Sequence, residues 1–524
     1  MLSHKGPVLP TASVTASTRP AILSWHDVGT RPWGVPSPAQ ATALLVAITA
    51  IGAALSFYRI GALSFWTDEL FTAIFIDHPL NKIWVALWPD ETNMILYYYI
   101  VYIWKNLLAD PSDGALRSIS AICSIVAIPT VYALAQALSS DRRFSRVSGL
   151  VAALLFSLNS FRIQYSQELR SYSLALFLGV LSSLFLALCK KNSKSLRLWV
   201  AYAITATAGI YSHYIVGFLI LAHSVSLLFL FLRDPRRFPF IPVSVSILSI
   251  LLLISPLILA ALRHGMAFLA WIKPPSSTDI RIFGIQFTGG EGMSLLYCYF
   301  LGIVLTIALT TILKKKLNAV YEDDYWLMIF LLNCLLFPAI TAIILTYYGV
   351  PLFSGRYFLP SLPYLAIFVS FGMTRFMLNN NLAAKMLGMT LLLSITILST
   401  MGVSYYYGGT VKEDWREVIA FLTAECTKPG NLRLYYPAWS QELPSHYSTQ
   451  VMAQDKALQD LIAHPDATAA IAMQSTDYRK ICLIVSPQGT PTQRQTVRSL
   501  VQANYPNATP YKFAGDMEVD VYVK

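Results

Sequence analysis

Charged residues are scarce in this sequence. Only 13% of its 524 residues are charged, whereas 55% are hydrophobic, and the mean hydropathy is +0.53. Soluble globular proteins carry about 25% charged residues, so this composition excludes a water-soluble multidomain protein. Apolar runs of roughly 20 residues, the length that crosses a bilayer, recur between Ala41 and Tyr407. We therefore expect a multi-pass membrane protein.

Acidic residues are scarcer than basic ones, and the net charge is +11. In a soluble protein such an excess would suggest a nucleic-acid partner. Here the Lys and Arg residues cluster in short segments between apolar runs, where they orient membrane helices. No basic stripe with interleaved aromatic residues is present in the sequence. We therefore expect membrane lipid, and no nucleic acid, as a partner.

Cysteines are few, and none has the spacing of a metal site. Four of the six lie in apolar runs as small hydrophobic residues. Cys426 and Cys482 lie in the polar C-terminal region, where they would pair if that region is oxidised. Their spacing does not decide between a disulfide and two free thiols.

The chain divides into three parts. Residues 1–40 are rich in Pro, Ser, Thr and Ala, lack the pattern of a cleaved signal, and are interpreted as a flexible cytoplasmic tail. Residues 41–408 form the membrane part, and residues 409–524 are expected to form a small α/β domain outside the membrane. In this domain we predict strands at Asn431–Tyr436, Lys480–Ser486 and Val519–Lys524, and helices at Glu413–Glu425 and Thr490–Ala503.

The membrane part is predicted to contain about eleven spans. Every second connection is basic, as the positive-inside rule requires of cytoplasmic loops. The segment Asn93–Leu108 is apolar and aromatic but short for a span. If it crossed the membrane, the basic connections that follow it would lie outside, so we interpret it as an interfacial or re-entrant helix. The predicted spans are Ala41–Tyr58, Arg117–Leu138, Val147–Arg162, Tyr172–Cys189, Leu198–Ile210, Tyr214–Leu232, Ile241–Leu262, Met293–Leu313, Tyr325–Tyr348, Tyr357–Phe376 and Ala384–Tyr407.

The segment FWTDEL (65–70) follows the first span and carries two adjacent carboxylates. Asp68 and Glu69 lie beside Trp66 at the expected outer surface of the membrane, a setting that suits a general base. Acidic residues are also favoured at the N-terminus of a helix, where they need no chemical role. The spacing alone leaves both interpretations open.

The segment YSQELRSY (165–172) joins two spans at the same face and brings Glu168, Arg170 and Tyr172 to the edge of the membrane. Ionisable residues at this depth are costly and are usually functional. The alternative is a structural ion pair between Glu168 and Arg170.

Two further segments, GRYFLPSLP (355–363) and YSHY (211–214), lie at the same face. Arg356, followed by Tyr357, stands at a helix start, where a guanidinium can bind a phosphate through two hydrogen bonds. The alternative is that the Arg356 side chain merely extends to the polar surface of the membrane and binds no ligand. His213 lies in a tight turn, where a structural histidine is equally expected. Arg117 opens a span at this face and completes the candidates.

In this order, FWTDEL, YSQELRSY, YSHY and GRYFLPSLP resemble the bacterial membrane glycosyltransferases of the protein O-mannosyltransferase type. That group includes the aminoarabinose transferase and the rhizobial lipopolysaccharide-core transferases, all of the GT-C fold. The resemblance runs from Ala41 to about Gly408 and on to DWR (414–416). One difference is that TNMI (92–95) replaces the His-Pro-Pro-Leu common after the first loop.

The resemblance implies transfer of a sugar from a polyprenyl-phosphate donor, with inversion, to an envelope lipid, lipopolysaccharide, glycan or protein at the outer face of the bacterial inner membrane. Asp68 matches the acid that activates the acceptor, and Arg356 matches the residue that binds the donor phosphate. Glu69 and Glu168 complete the expected catalytic set. The other expected substrate-binding residues are Arg117, Arg170, Tyr172, His213 and Tyr357.

No cofactor is required by the sequence, although the carboxylates could hold a divalent metal ion. Two other functions are compatible with a membrane protein of this size. A transporter or lipid-sugar flippase would favour inverted repeats and broken helices, and the sequence contains neither. An oligosaccharide polymerase or ligase, which transfers a whole glycan, is not excluded by any motif.

The eleven-span topology predicts that the loop 141–146 faces the cytoplasm. A cysteine replacing Arg143 should therefore resist membrane-impermeant thiol reagents in intact cells and react after permeabilisation. A cysteine replacing Lys512, in the expected external domain, should react in both conditions and serves as the positive control. Ready labelling at position 143 in intact cells would contradict this topology.

Overall fold

The computed structural model describes residues 35–83, 93–109, 111–236, 238–264, 272–316, 322–409, 411–448, 451, 478–488 and 490–524. Within these ranges, a helical membrane part is followed by a small α/β domain, which confirms the predicted fold class. The predicted tail lies almost wholly outside the described residues, since the description begins at Val35.

The helices of the membrane part are, in chain order, α1 Pro38–Phe57, α2 Thr67–Phe75, α3 Ile95–Leu107, α4 Asp113–Leu138, α5 Arg142–Ser157, α6 Ser160–Ser166, α7 Tyr172–Lys191, α8 Leu196–Ser212, α9 Ile215–Arg233, α10 Phe240–His264, α11 Ser277–Thr288, α12 Met293–Lys316, α13 Glu322–Tyr347, α14 Leu362–Met377 and α15 Leu382–Gly409. A 3₁₀ segment, Gly355–Ser361, leads directly into α14.

Eight helices in the described part of the chain are long and apolar enough to cross a membrane. Two bent pairs, α5 with α6 and α11 with α12, raise the number of candidate spans to ten if each pair is one span. Ten of the predicted spans coincide with these elements. The eleventh, α8, has 17 residues and packs against α7 and α10. Helix α3 has 13 residues, about 20 Å of helix, which is shorter than the roughly 30 Å hydrocarbon core. This length favours the interfacial interpretation of Asn93–Leu108.

Side-chain caps define where several spans begin. Ser37 and Gln40 form a reciprocal capping box at the start of α1. The Ser112 hydroxyl accepts a hydrogen bond from the Ala115 N–H at the start of α4. The Asp141 carboxylate accepts two backbone N–H groups at the start of α5. These short polar residues satisfy N–H groups that have no partner within the helix.

A bend of 61° separates α5 from α6 and determines where the segment after α6 lies. The Asn159 amide at the bend donates to the Phe287 carbonyl, and the Ser160 hydroxyl donates to the Gly289 carbonyl. Gly289 has a positive φ of 83°, and a Cβ there would lie 2.9 Å from the Ser160 nitrogen. The bend is thus held against a glycine turn between two other membrane helices.

The C-terminal domain is built on a four-stranded sheet in the order β1-β2-β4-β3. Strands β1 and β2 are parallel, and the other neighbours are antiparallel. A disulfide joins Cys426 to Cys482, so the alternative left open by the spacing is resolved. The elements are α16 Trp415–Glu425, β1 Asn431–Tyr436, β2 Lys480–Val485, α17 Pro491–Gln502, β3 Asn507–Phe513 and β4 Met517–Val523, with 3₁₀ turns at Ala438–His446 and Ala514–Asp516.

Strand β3 is not among the predicted strands, and its sequence explains why. It contains Pro510, which donates no backbone hydrogen bond, and its residues are largely exposed, so no apolar alternation marks it. Proline is tolerated in a strand at the edge of a sheet, which is where β3 lies.

The C-terminal domain packs on the connection between α1 and α2 and shares an apolar core with it. Trp415 and Leu422 of α16 are buried in the same cluster as Phe65 and Leu70. Tyr447 strengthens this contact, because its hydroxyl accepts the Phe65 N–H at 2.9 Å. The domain therefore lies directly over the segment that carries the adjacent carboxylates.

Candidate active site

Asp68 and Arg356 lie 288 residues apart in the sequence and form an ion pair, with 2.6 Å between Asp68 Oδ2 and Arg356 Nη1. Asp68 stands in the first turn of α2, and Arg356 stands in the 3₁₀ segment that precedes α14. Their side chains remain 21% and 17% exposed. A ligand can therefore reach a carboxylate and a guanidinium at the same point.

Three aromatic rings surround the guanidinium of Arg356. Its central carbon lies 5.5 Å from the ring centre of Trp66, 5.9 Å from that of Tyr172 and 6.0 Å from that of Tyr357. Aromatic faces attract a cation and orient it without neutralising its charge. The predicted residues Tyr172 and Tyr357 thus lie beside Arg356.

Glu69 points away from Asp68 into the protein and pairs with Arg117. The carboxylate accepts from Arg117 Nε at 2.7 Å and from Nη2 at 2.6 Å, and both side chains are almost wholly buried. The other Arg117 N–H groups donate to the carbonyls of Ile60, Leu63 and Ser64. All five N–H groups of this guanidinium therefore have acceptors within the protein, and the connection between α1 and α2 is fixed around it.

Glu69 also binds the YSQELRSY segment, because its Oε1 accepts the Leu169 N–H at 2.7 Å. Burial by itself would raise the pKa of Glu69, but the charges of Arg117 and Lys412 and the hydrogen bonds hold it below its ordinary value. Glu69 is therefore ionised at neutral pH and joins two of the predicted motifs.

Two other residues of the YSQELRSY segment, Arg170 and Glu168, contact different parts of the protein. Arg170 Nη1 donates to the Asp68 carbonyl at 3.0 Å and to the Thr72 hydroxyl at 3.2 Å, so it supports the first turns of α2. Glu168 is buried, and its Oε1 lies 3.2 Å from Lys412 Nζ. Burial raises the pKa of Glu168, and the charge of Lys412 acts in the opposite direction.

His213 packs against two of the aromatic rings that surround Arg356. Its ring centre is 4.7 Å from that of Tyr357 and 5.7 Å from that of Tyr172, and its Nε2 is 3.3 Å from Asn93 Nδ2. Burial, together with nearby guanidinium groups, lowers the pKa of His213 to about 3. The imidazole is therefore neutral at physiological pH and adds hydrogen-bonding capacity to the site without charge.

Sequence reasoning missed two residues that follow the last span, Lys412 and Glu413. Glu413 Oε2 accepts the Thr67 N–H at 3.0 Å and the Trp415 Nε1–H at 2.9 Å, so it caps the first turn of α2. The available signal was the charged run KEDWR (412–416) at the end of an apolar span, in a chain with few charges.

The assembled site contains as many cations as carboxylates. Its cations are Arg117, Arg170, Arg356 and Lys412, and its carboxylates are Asp68, Glu69, Glu168 and Glu413. Asp68 and Arg356 are the members of this group with partly exposed side chains, at 21% and 17%. Among the described residues, no three His, Cys, Asp or Glu side chains are arranged to hold a metal ion.

Part of the chain matches a known family. Residues 89–259 match the family model described as dolichyl-phosphate-mannose-protein mannosyltransferase. Among curated proteins, none matches the sequence significantly.

Two similar solved structures cover most of the chain. ArnT from Cupriavidus metallidurans in the apo state has a TM-score of 0.53 at 11% identity and covers 92% of this chain and 98% of its own. The archaeal oligosaccharyltransferase AglB from Archaeoglobus fulgidus, in complex with an inhibitory peptide and a dolichol-phosphate, has a TM-score of 0.55 at 11% identity and covers 91% of this chain and 74% of its own. The chain therefore has the fold of the GT-C membrane glycosyltransferases, and the resemblance seen in the motifs is confirmed.

The buried Glu69–Arg117 pair predicts a large effect on stability. Removing one partner of a buried ion pair typically costs about 3–5 kcal/mol, because the other charge stays buried and uncompensated. Arg117→Met and Glu69→Gln should each lower the thermal unfolding temperature of the purified protein in detergent. The exposed Lys105–Asp77 pair supplies the control: Lys105→Met should change stability by less than about 1 kcal/mol. Equal stability of Arg117→Met and the wild type would contradict a structural role for the pair.

Proposed function

We propose that this protein is a membrane glycosyltransferase that moves a sugar from a polyprenyl-phosphate donor to an acceptor in the cell envelope, at the outer face of the bacterial inner membrane. The contact between Asp68 and Arg356 carries the proposal. It brings a carboxylate, the group needed to activate an acceptor, next to a guanidinium, the group suited to a leaving phosphate. Both side chains remain partly exposed.

In the proposed reaction, an acceptor oxygen or nitrogen attacks the anomeric carbon of the donor sugar. The bond between that carbon and the phosphate oxygen breaks, and the phosphate leaves with the bonding electrons. Asp68 takes the proton from the acceptor, and Arg356 stabilises the charge that develops on the phosphate. Attack on the face opposite the leaving phosphate inverts the anomeric configuration.

The remaining residues would hold these two groups in place. Arg117 fixes the connection before α2 by donating to the Leu63 and Ser64 carbonyls, and Arg170 supports the first turns of α2 by donating to the Asp68 carbonyl. Glu69 holds the Arg117 guanidinium in place through two hydrogen bonds. We assign Arg117 to this structural role, since all five of its N–H groups are used within the protein. Tyr172, His213 and Tyr357 are proposed to orient the sugar beside Arg356 through hydroxyl and imidazole groups.

An apolar groove beside the site suits the prenyl chain of the donor. It has a volume of about 300 Å³ and is lined by α8, α9 and α10, with Ile210, Leu221, Ile250 and Ile254 among the lining residues. The groove also includes Tyr214, the neighbour of His213. A donor chain in this groove would therefore extend from the site toward lipid.

The solved structures support the proposed donor class. ArnT from Cupriavidus metallidurans has been solved bound to undecaprenyl phosphate, with a TM-score of 0.51 to this chain, and AglB has been solved with a dolichol-phosphate. Both ligands are polyprenyl-type phosphates. The identity of the sugar is to be found by supplying labelled polyprenyl-phosphate sugars, with envelope extract as acceptor, to the protein reconstituted in lipid vesicles. A labelled product supports an enzyme, whereas movement of unchanged donor across the bilayer would indicate a flippase.

Asp68→Asn tests the proposed base. The amide keeps the shape of the carboxylate but cannot accept a proton, so turnover should fall by about 100- to 10,000-fold. The apparent Michaelis constant for the donor should change little. The control is Asp77→Asn, which changes an exposed acid just after the C-terminal end of α2 and should retain wild-type turnover. Near-normal turnover in folded Asp68→Asn would move the role of base to Glu168.

Arg356→Lys tests the proposed phosphate contact. Lysine keeps the charge but lacks the planar pair of donors, and a hydrogen bond to a charged group contributes about 1.5–3 kcal/mol. The donor Michaelis constant should therefore rise by roughly 10- to 100-fold, with unchanged thermal stability. Arg375, which lies 5.7 Å from the ring centre of Phe144 at the other end of α14, supplies the matched control Arg375→Lys. Unaltered donor kinetics in Arg356→Lys would reduce Arg356 to an interfacial anchor.

A further inference from the structure

Lys412 lies between two buried carboxylates of the proposed active site. Its Nζ is 3.2 Å from Glu168 Oε1 and 3.6 Å from Glu69 Oε2. The Lys412 side chain is 10% exposed, and the two carboxylates are 3% and 0% exposed. This lysine belongs to the segment between α15 and α16, and no predicted motif includes it.

The two carboxylates differ in how they are neutralised. Glu69 has a bidentate partner in Arg117 and a backbone N–H from Leu169. The Glu168 carboxylate contacts Lys412 through Oε1, while its Oε2 is buried and, in the described part of the chain, has no hydrogen-bond partner. A buried carboxylate oxygen without a donor is costly. A ligand hydroxyl that reached Oε2 would remove this cost.

The position of Lys412 is fixed by its neighbour. Glu413 caps α2 through the Thr67 N–H and also accepts from Gln488 of the C-terminal domain. The Lys412 backbone therefore cannot move away without breaking the contact between α2 and this domain. In this way the C-terminal domain places a cation in the membrane-edge site.

The surroundings of Glu168 make its ionisation depend on this cation. Burial and the charge of Glu69 outweigh the opposing charges of Lys412 and, more weakly, Arg356, so the pKa of Glu168 is raised above its ordinary value. Within the described part of the chain, the other titratable groups that interact with Glu168 are the phenols Tyr165, Tyr172 and Tyr406. None of these phenols supplies positive charge, so the loss of Lys412 would favour the protonated form of Glu168.

We propose that Lys412 is a positioning residue of the active site, which binds Glu168 through Oε1 and leaves Oε2 to accept a hydrogen bond from a hydroxyl of the transferred sugar. The inference rests on the proposed function. It gives the C-terminal domain a direct part in donor-sugar recognition, and it gives Glu168 an orienting role distinct from that of Asp68.

The test compares Lys412→Met, Lys412→Arg and Lys480→Met. Lys480 also lies 3.2 Å from a glutamate, Glu425, at the C-terminal end of α16, and is the matched control. Displacing a group of the active site by about 1 Å can cost about 100-fold, so Lys412→Met should lower kcat/KM by up to that factor at neutral pH. Its activity should partly recover as pH rises and Glu168 ionises. Lys412→Arg and Lys480→Met should stay near the wild type.

Infrared spectroscopy of the purified protein provides a readout that does not require turnover. In Lys412→Met, the protonated-carboxyl band of Glu168 should persist to a higher pH than in the wild type, and this band should disappear when Glu168→Gln is added. Wild-type kcat/KM in folded Lys412→Met, a loss that does not recover at higher pH, or an unchanged pH dependence of the Glu168 band would each overturn the proposal. If the wild type transfers no sugar, the proposed function fails, and the infrared result still decides whether Lys412 favours the ionised form of Glu168.

Discussion

The buried pair of Glu69 and Arg117 is the interaction on which the site depends. Two charges are removed from water here, and the cost is offset because the carboxylate and the guanidinium satisfy each other through two hydrogen bonds. The guanidinium uses its other N–H groups to hold the carbonyl groups of Ile60, Leu63 and Ser64 in the connection between α1 and α2. These hydrogen bonds hold the connection in one conformation. Asp68 directly precedes Glu69 in the chain, so the direction of its side chain follows from this pair.

The rest of the site is arranged in layers around that pair. The YSQELRSY segment is attached through the Leu169 N–H, and Arg170 returns to the Asp68 carbonyl. The C-terminal domain is attached through Glu413, which caps the same short helix. Arg356, which lies within a group of aromatic rings, forms an ion pair with Asp68. The Glu69–Arg117 pair is almost wholly buried, whereas the Asp68–Arg356 pair remains partly exposed.

The adjacent carboxylates show how position separates two residues of similar chemistry. On a helix, neighbouring residues point in directions about 100° apart, so Asp68 and Glu69 cannot face the same surroundings. Glu69 turns inward to a guanidinium, and Asp68 turns toward a partly exposed one. Both interpretations left open by the sequence are therefore compatible with the molecule: Glu69 has a structural partner, and Asp68 is the acid proposed for catalysis.

The sequence by itself determined the class of protein. Low charge, long apolar runs and alternating basic connections define a multi-pass membrane protein, because the hydrocarbon core imposes these features locally on each span. The order of the four motifs also identified the GT-C resemblance. Only the tertiary structure decided which candidates lie together: Asp68 meets Arg356 across 288 residues, and Arg117 is committed to Glu69. Lys412 escaped prediction because its partners, Glu69 and Glu168, lie in distant segments. Pairing between distant charges depends on how helices pack, and packing leaves no periodic signal in the chain.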